Sequence, residues 1–122
     1  MFYILIVESD PALLSDVVAM ASNSVCQPVG VKDIPGALGA LSGIRFDVLM
    51  VGLSPHSPNL EEFIVAAKAG HPTLRIIAGA SQRGTFRQAR IVDAYLDSPL
   101  DQHKVRAALR LAFIYAGTRL TL

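Results

Sequence analysis

The sequence predicts a single α/β domain spanning residues 1–122, a parallel sheet wrapped on both sides by helices. Three observations lead there. Short apolar runs and amphipathic stretches alternate five times within 122 residues, the pattern of repeated β–α units joined by right-handed crossovers. The run Val48-Leu49-Met50-Val51, between Asp47 and Gly52, is too short for a helix and apolar throughout. Such a run suits a strand buried on both faces at the centre of a parallel sheet. Asp10-Pro11 and Ser98-Pro99 each pair a capping side chain with a proline suited to a first helical turn.

Tyr3 to Val7 forms the first expected strand. The helix opened by Asp10-Pro11 carries Leu13, Leu14, Val17, Val18, Met20 and Ala21 at helical spacing and runs to about Asn23. A short strand is expected near Pro28 to Val31. The helix over Asp33 to Ser42 contains Pro35, Gly36 and Gly39, and each interior glycine weakens it by about 1 kcal/mol against alanine. After the central strand, Ser54-Pro55-His56-Ser57-Pro58 is a proline-stiffened loop, and Asn59 with Glu62 resembles a capping box for a helix through Ala69. Leu74 to Ala78 is the fourth strand, Gln82 to Arg90 a polar helix, and Ala94-Tyr95-Leu96 a short fifth strand. Ser98 then caps a last helix running to about Ala116.

Composition narrows the class of function. With 52% hydrophobic and 17% charged residues the chain is globular, yet no apolar run approaches the ~18 residues of a membrane span. The first seven residues lack a basic region ahead of Glu8 and Asp10, so a strand is expected there and not a signal peptide. One cysteine, Cys26, excludes an internal disulfide, fits a cytoplasmic location and is expected in the core. His56, His71 and His103 are dispersed and do not have zinc-site spacing. The net charge of +1 conceals an asymmetry: eight basic and three acidic residues from Arg75 onward, against three basic and seven acidic before it. A basic patch on the last elements bears on partners, not on the fold.

Ile4-Leu5-Ile6-Val7-Glu8-Ser9-Asp10-Pro11 at the start, Phe46-Asp47-Val48-Leu49-Met50-Val51-Gly52 in the middle and Ala94-Tyr95-Leu96-Asp97-Ser98-Pro99-Leu100 near the end resemble the receiver domain of two-component response regulators. The resemblance covers essentially the whole chain. It implies a flavodoxin-like, doubly wound sheet of five parallel strands in the order 2-1-3-4-5, flanked by five helices. Receivers carry an acidic pair after the first strand, a phosphoacceptor aspartate after the third, a hydroxyl residue after the fourth and a lysine-proline after the fifth. On this sequence those positions fall on Glu8 and Ser9, on Gly52, on Ala80 and on Ser98, with Pro99 retained. Asp10 adjoins the pair and Ser81 follows Ala80.

The chemistry needs hard carboxylate oxygens for Mg²⁺, and a nucleophile, a cation and a donor around the transferred group. Glycine offers none of these at position 52, so the six positions Glu8, Ser9, Asp10, Gly52, Ala80 and Ser98 read as a vestigial phosphorylation pocket. No catalytic residue, cofactor or metal is expected, and Mg²⁺ at Glu8 and Asp10 would be weak at most.

Arg83, Arg87 and Arg90, four and three residues apart, would form one stripe on a helix, extended by Lys104, Arg106 and Arg110. In receivers the face made by the fourth helix, fifth strand and fifth helix contacts partners or a second copy, and Tyr95 matches its switching aromatic. The last helix is apolar beyond its inward stripe, through Leu111, Phe113, Ile114 and Tyr115, unless Leu120 and Leu122 fold back over it; uncovered, it suits self-association.

The expected protein is therefore a cytoplasmic pseudo-receiver, non-enzymatic, binding through Arg83, Arg87, Arg90, Tyr95, Lys104, Arg110, Leu111 and Ile114. Its partner would be an acidic signalling protein (a kinase, regulator or effector) or a second copy of itself. Nucleic acid is disfavoured because no aromatics interleave the basic residues. Two other readings are a receiver phosphorylated at another residue, such as Asp10, and a small α/β ligand-binding protein or enzyme using the pocket above Gly52.

Overall fold

The computed structural model describes residues 1–54 and 59–114, with the side chains of Ala89, Phe113 and Ile114 excepted. Strands β1 (Phe2–Val7), β2 (Cys26–Val31), β3 (Val48–Val51), β4 (Arg75–Gly79) and β5 (Ala94–Leu96) alternate with α1 (Pro11–Ala21), α2 (Ile34–Gly43), α3 (Leu60–Gly70) and, after β5, α4 (Gln102–Ile114). All pairings are parallel and the order is β2-β1-β3-β4-β5. The flavodoxin-like α/β class and the strand order are thus as expected from the sequence.

Two apolar layers follow from the alternation of side chains along each strand. Ile4, Ile6, Val48, Met50 and Ile77 pack with Val17 and Ala21 of α1 and with Val105, Leu109 and Ala112 of α4. Leu5, Val7, Leu49, Val51 and Ile76 pack on the other face with Ala37 and Leu41 of α2 and Phe63, Ile64 and Ala67 of α3. All four β3 residues are fully buried, which is why that strand has no polar position. Cys26 is also buried, and burial pushes its thiol above the ordinary range.

Asp10 caps α1 as expected, accepting from the backbone N–H groups of Ala12 and Leu13. Asp33 caps α2 through Gly36 N at 2.8 Å. Two expected caps differ. Asn59 is left-handed (φ 61°) and makes no side-chain capping bond, because that backbone departs from the extended conformation that aims a capping oxygen at the first turn. Glu61 and Glu62 still favour the positive end of α3. At α4 the cap is Asp101 and not Ser98: its side chain accepts from Lys104 N at 2.8 Å and its carbonyl from Val105 N at 3.1 Å.

The largest departure lies between β4 and β5. The expected helix over Gln82 to Arg90, and with it a fifth flanking helix, is absent. Two 3-10 turns, Ala80–Gln82 and Ala89–Ile91, bracket an irregular stretch, so four α-helices flank the sheet among the described residues. The reason is physical: only Phe86 and Ala89 are apolar between Gln82 and Arg90, so a helix there would have no stripe to bury. Thr85 also turns its hydroxyl back onto the Gln82 carbonyl at 2.7 Å, a local bond that competes with helical geometry. Tyr115, Leu120, Leu122 and the loop 55–58 lie outside the described residues.

Candidate functional site

Parallel strands deliver their carboxyl ends to one rim, where ligands of such sheets bind. Glu8 follows β1, Gly52 follows β3, Ala80 follows β4 and Ser98 lies two residues past β5. Glu8 is almost fully buried. Its Oε2 accepts from Asp10 N at 2.8 Å and from the Ser54 hydroxyl at 2.7 Å. Asp10 is itself engaged in capping α1, while Ser9 and Ser98 are exposed. The Glu8 carboxylate thus joins the β1 and β3 ends, while that of Asp10 holds the first turn of α1.

Gly52 is buried and left-handed, with φ 66°, a conformation glycine adopts without steric cost. The room its missing side chain leaves is already taken. A Cβ at this position would lie 2.7 Å from Gln82 Cγ and 3.0 Å from Leu60 Cδ1. Gln82 is one of two buried polar or charged residues among those described, and its side-chain oxygen is within 3.4 Å of the Thr85 hydroxyl. The space directly over Gly52 is therefore taken by Gln82 and Leu60. An open hollow of about 350 Å³ lies beside it, between Asn59, Gln82 and Arg87.

Mg²⁺ is the group a receiver rim implies, and the residues here do not fit it. Such a site takes one or two free carboxylates in octahedral array. One oxygen of Glu8 and one of Asp10 already accept from N–H or O–H donors, and Gly52 has no oxygen-bearing side chain. No three His, Cys, Asp or Glu side chains converge among the described residues.

The expected arginine stripe is dispersed, because it required a helix. Arg83 sits by β5: its Nη1 lies 3.0 Å from Asp97 Oδ1 and its guanidinium 5.0 Å from the centre of the Tyr95 ring. The ion pair is exposed and the ring half-buried, and the two contacts together contribute on the order of 1 kcal/mol, enough to favour one ring position. Arg87 and Arg90 instead lie along α3, beside Glu61 and Lys68 respectively. Lys104 is drawn back, its ammonium donating to the Pro99 carbonyl at 2.7 Å. Arg110 and Leu111 are exposed on α4, and the Ile114 side chain is outside the described set.

Three contributors escaped the sequence reading. Ser54 and Gln82 complete the rim, and Glu61 ties the irregular stretch to α3 by accepting from Gln88 N at 2.9 Å. That backbone bond, then a second from Arg87, holds the Glu61 carboxyl below its ordinary value near 4.5. A depressed carboxyl adds stability that is present above its unfolded value and is lost as pH falls through the lowered one. Hydrogen exchange of the Gln88 amide should therefore be less protected in Glu61→Gln than in wild type at neutral pH. The difference should shrink once wild-type Glu61 is itself protonated in acid.

No protein-family model and no curated protein matches the sequence. Solved structures do. The chemotaxis response regulator CheY4 of Vibrio cholerae superposes with a TM-score of 0.77 at 17% identity, covering 92% of this chain and 98% of that one. A two-component response regulator from Clostridium difficile gives 0.79 at 13% identity, covering 97% and 100%. A CheY-like receiver domain from Methylobacillus flagellatus gives 0.78 at 20% identity, covering 92% and 98%. With the strand order and rim described above, these similarities establish that the chain has the CheY-like receiver-domain fold.

Proposed function

We propose that this chain is a pseudo-receiver: a cytoplasmic signalling module that keeps the receiver scaffold, carries out no phosphoryl transfer and acts by binding another protein. The observation that supports it most is at Gly52. The position past β3 has no nucleophile, and Gln82 and Leu60 fill the space a longer side chain would need. A phosphoryl group has neither an acceptor there nor a cation to balance its charge. The glutamine amide is neutral and cannot replace the ammonium absent at Ser98.

The binding surface in this reading is centred on β5 and α4, with Arg83, Tyr95, Lys104, Arg110 and Leu111. The Arg83–Tyr95 contact and the Arg83–Asp97 pair favour one pose of the ring, which suits a surface presented in one state and not switched. An acidic protein partner, such as a signalling kinase, regulator or effector, would meet exposed Arg83 and Arg110, with exposed Leu111 as an apolar contact. Charge of this kind speeds encounter and fixes register.

The test is a titration of the partner recovered by affinity purification and then purified. Charge reversal at Arg83 or Arg110 is expected to weaken binding by about tenfold or more, a loss of about 1.4 kcal/mol, and added salt should weaken the wild-type complex. A dissociation constant unchanged in both variants would contradict this surface. Arg87→Glu tests whether the basic surface runs on as one continuous stripe, and the position of Arg87 along α3 predicts a smaller effect.

A further inference from the structure

Because no α-helix joins β4 to β5, the flank of α3 that such a helix would shield is open. Three hollows of about 350, 410 and 450 Å³ run along it. The first two share Glu61, Glu62 and Arg87, and the last two share Val65 and Gln88, so they form one groove between α3 and the stretch 82–91. Its wall is apolar in the middle: Val65 is 38% exposed, and Ala66 and Ala69 are exposed beside it.

The charges at its two ends are of opposite sign. Glu61 and Glu62 stand in the first turn of α3 and Lys68 in the last. Arg90 shares the hollow at the Lys68 end, and Arg87 offsets one charge at the acidic end. Glu61 is occupied by Gln88 N and Lys68 by the Leu74 carbonyl. Glu62 and Arg90 are exposed, and neither forms an ion pair among the described residues.

We propose that this groove is a self-association surface, filled by α3 of a second copy packed antiparallel across a twofold axis near Val65 and Ala66. A twofold interface uses the same patch twice, so the patch must complement itself. Antiparallel packing meets that condition. It sets Glu62 of each copy against the Arg90 and Lys68 end of the other and opposes the two helix dipoles. Packing in the parallel sense would bring like charges together. The 62–68 span is about 9 Å along the helix axis, short enough for both pairs to flank one apolar contact. This inference does not depend on the reading of the rim given above.

Sedimentation velocity over a wide concentration range, on the full chain, tests it. Wild type is expected to dimerise reversibly. Glu62→Arg and Arg90→Glu should each raise the dimer dissociation constant about tenfold or more. An equimolar mixture of the two variants should dimerise again, because both cross-contacts in that heterodimer pair an arginine with a glutamate. Recovery on mixing also shows that the variants are folded. A wild type that stays monomeric throughout, a dimer indifferent to both charge reversals, or a mixture that fails to recover would overturn the proposal.

Discussion

Gly52→Asp, which puts a carboxylate at the position that the receiver resemblance gives to the phosphoacceptor, is expected to destabilise the protein by about 2–5 kcal/mol without making it phosphorylatable. Two costs combine. Left-handed backbone is unfavourable for a residue with a Cβ by roughly 1–2 kcal/mol, and φ at this position is 66°. The new side chain must also displace Gln82 Cγ and Leu60 Cδ1, which stand 2.7 and 3.0 Å from its first carbon, and overpacking of this kind costs about 1–3 kcal/mol. For a domain whose total stability is of order 5–15 kcal/mol, the loss should be plain in denaturant melts. Adding Gln82→Ala removes the closest clashing atom and should recover on the order of 1 kcal/mol, the backbone cost remaining. Full stability in Gly52→Asp alone would show that the rim is not plugged.

Gly79→Ala should cost about 3 kcal/mol or more, by a different route. Here φ is −64°, ordinary for any residue, so backbone strain is not the cause. A Cβ on Gly79 would drive into the Gly52 carbonyl and crowd Leu53 Cα, and backbone cannot rotate aside as a side chain can. The ends of β3 and β4, in register from Val48 with Arg75 to Val51 with Ala78, would have to part. Gly39→Ala is the internal control. It sits within α2 with nothing within 4 Å of the new carbon, so the same chemical change should stabilise the fold by about 0.5–1 kcal/mol through helix propensity. Opposite signs from one substitution would separate the two roles of glycine by equilibrium unfolding alone.

What could be read from the residues follows from where their neighbours lie along the chain. The central strand was legible because burial on both faces removes every polar position from Val48 to Val51, and α1 because Asp10 caps it from the adjoining residue. The connection after β4 was not. The polar helix expected over Gln82 to Arg90 had no apolar stripe of its own, and Thr85 and Glu61 instead hold the stretch by bonds to Gln82 and Gln88. The Ser98 cap failed on a smaller scale, because Asp101 lies closer to the orphan N–H groups of α4. At the rim, the missing side chain at position 52 was plain in the sequence. Interiors are close-packed, so some group had to fill the space, but Gln82 lies thirty residues away and nothing local marks it out.

The lack of a side chain at position 52 and the occupation of the space beside it are separate features. A rim emptied by Gly52 alone would leave a cavity able to take a small anion. Gln82 and Leu60 take that space, and the Ser54 hydroxyl and Asp10 N–H engage Glu8, the one carboxylate buried among the described residues.

The most direct measurement is intact-mass analysis of the wild-type protein after incubation with a small phosphodonor and Mg²⁺, beside an authentic receiver as positive control. The mass is expected to stay unchanged while the control gains one phosphoryl group. A stoichiometric phosphoryl adduct on this chain, at Asp10 or any other residue, would contradict the binding-only account.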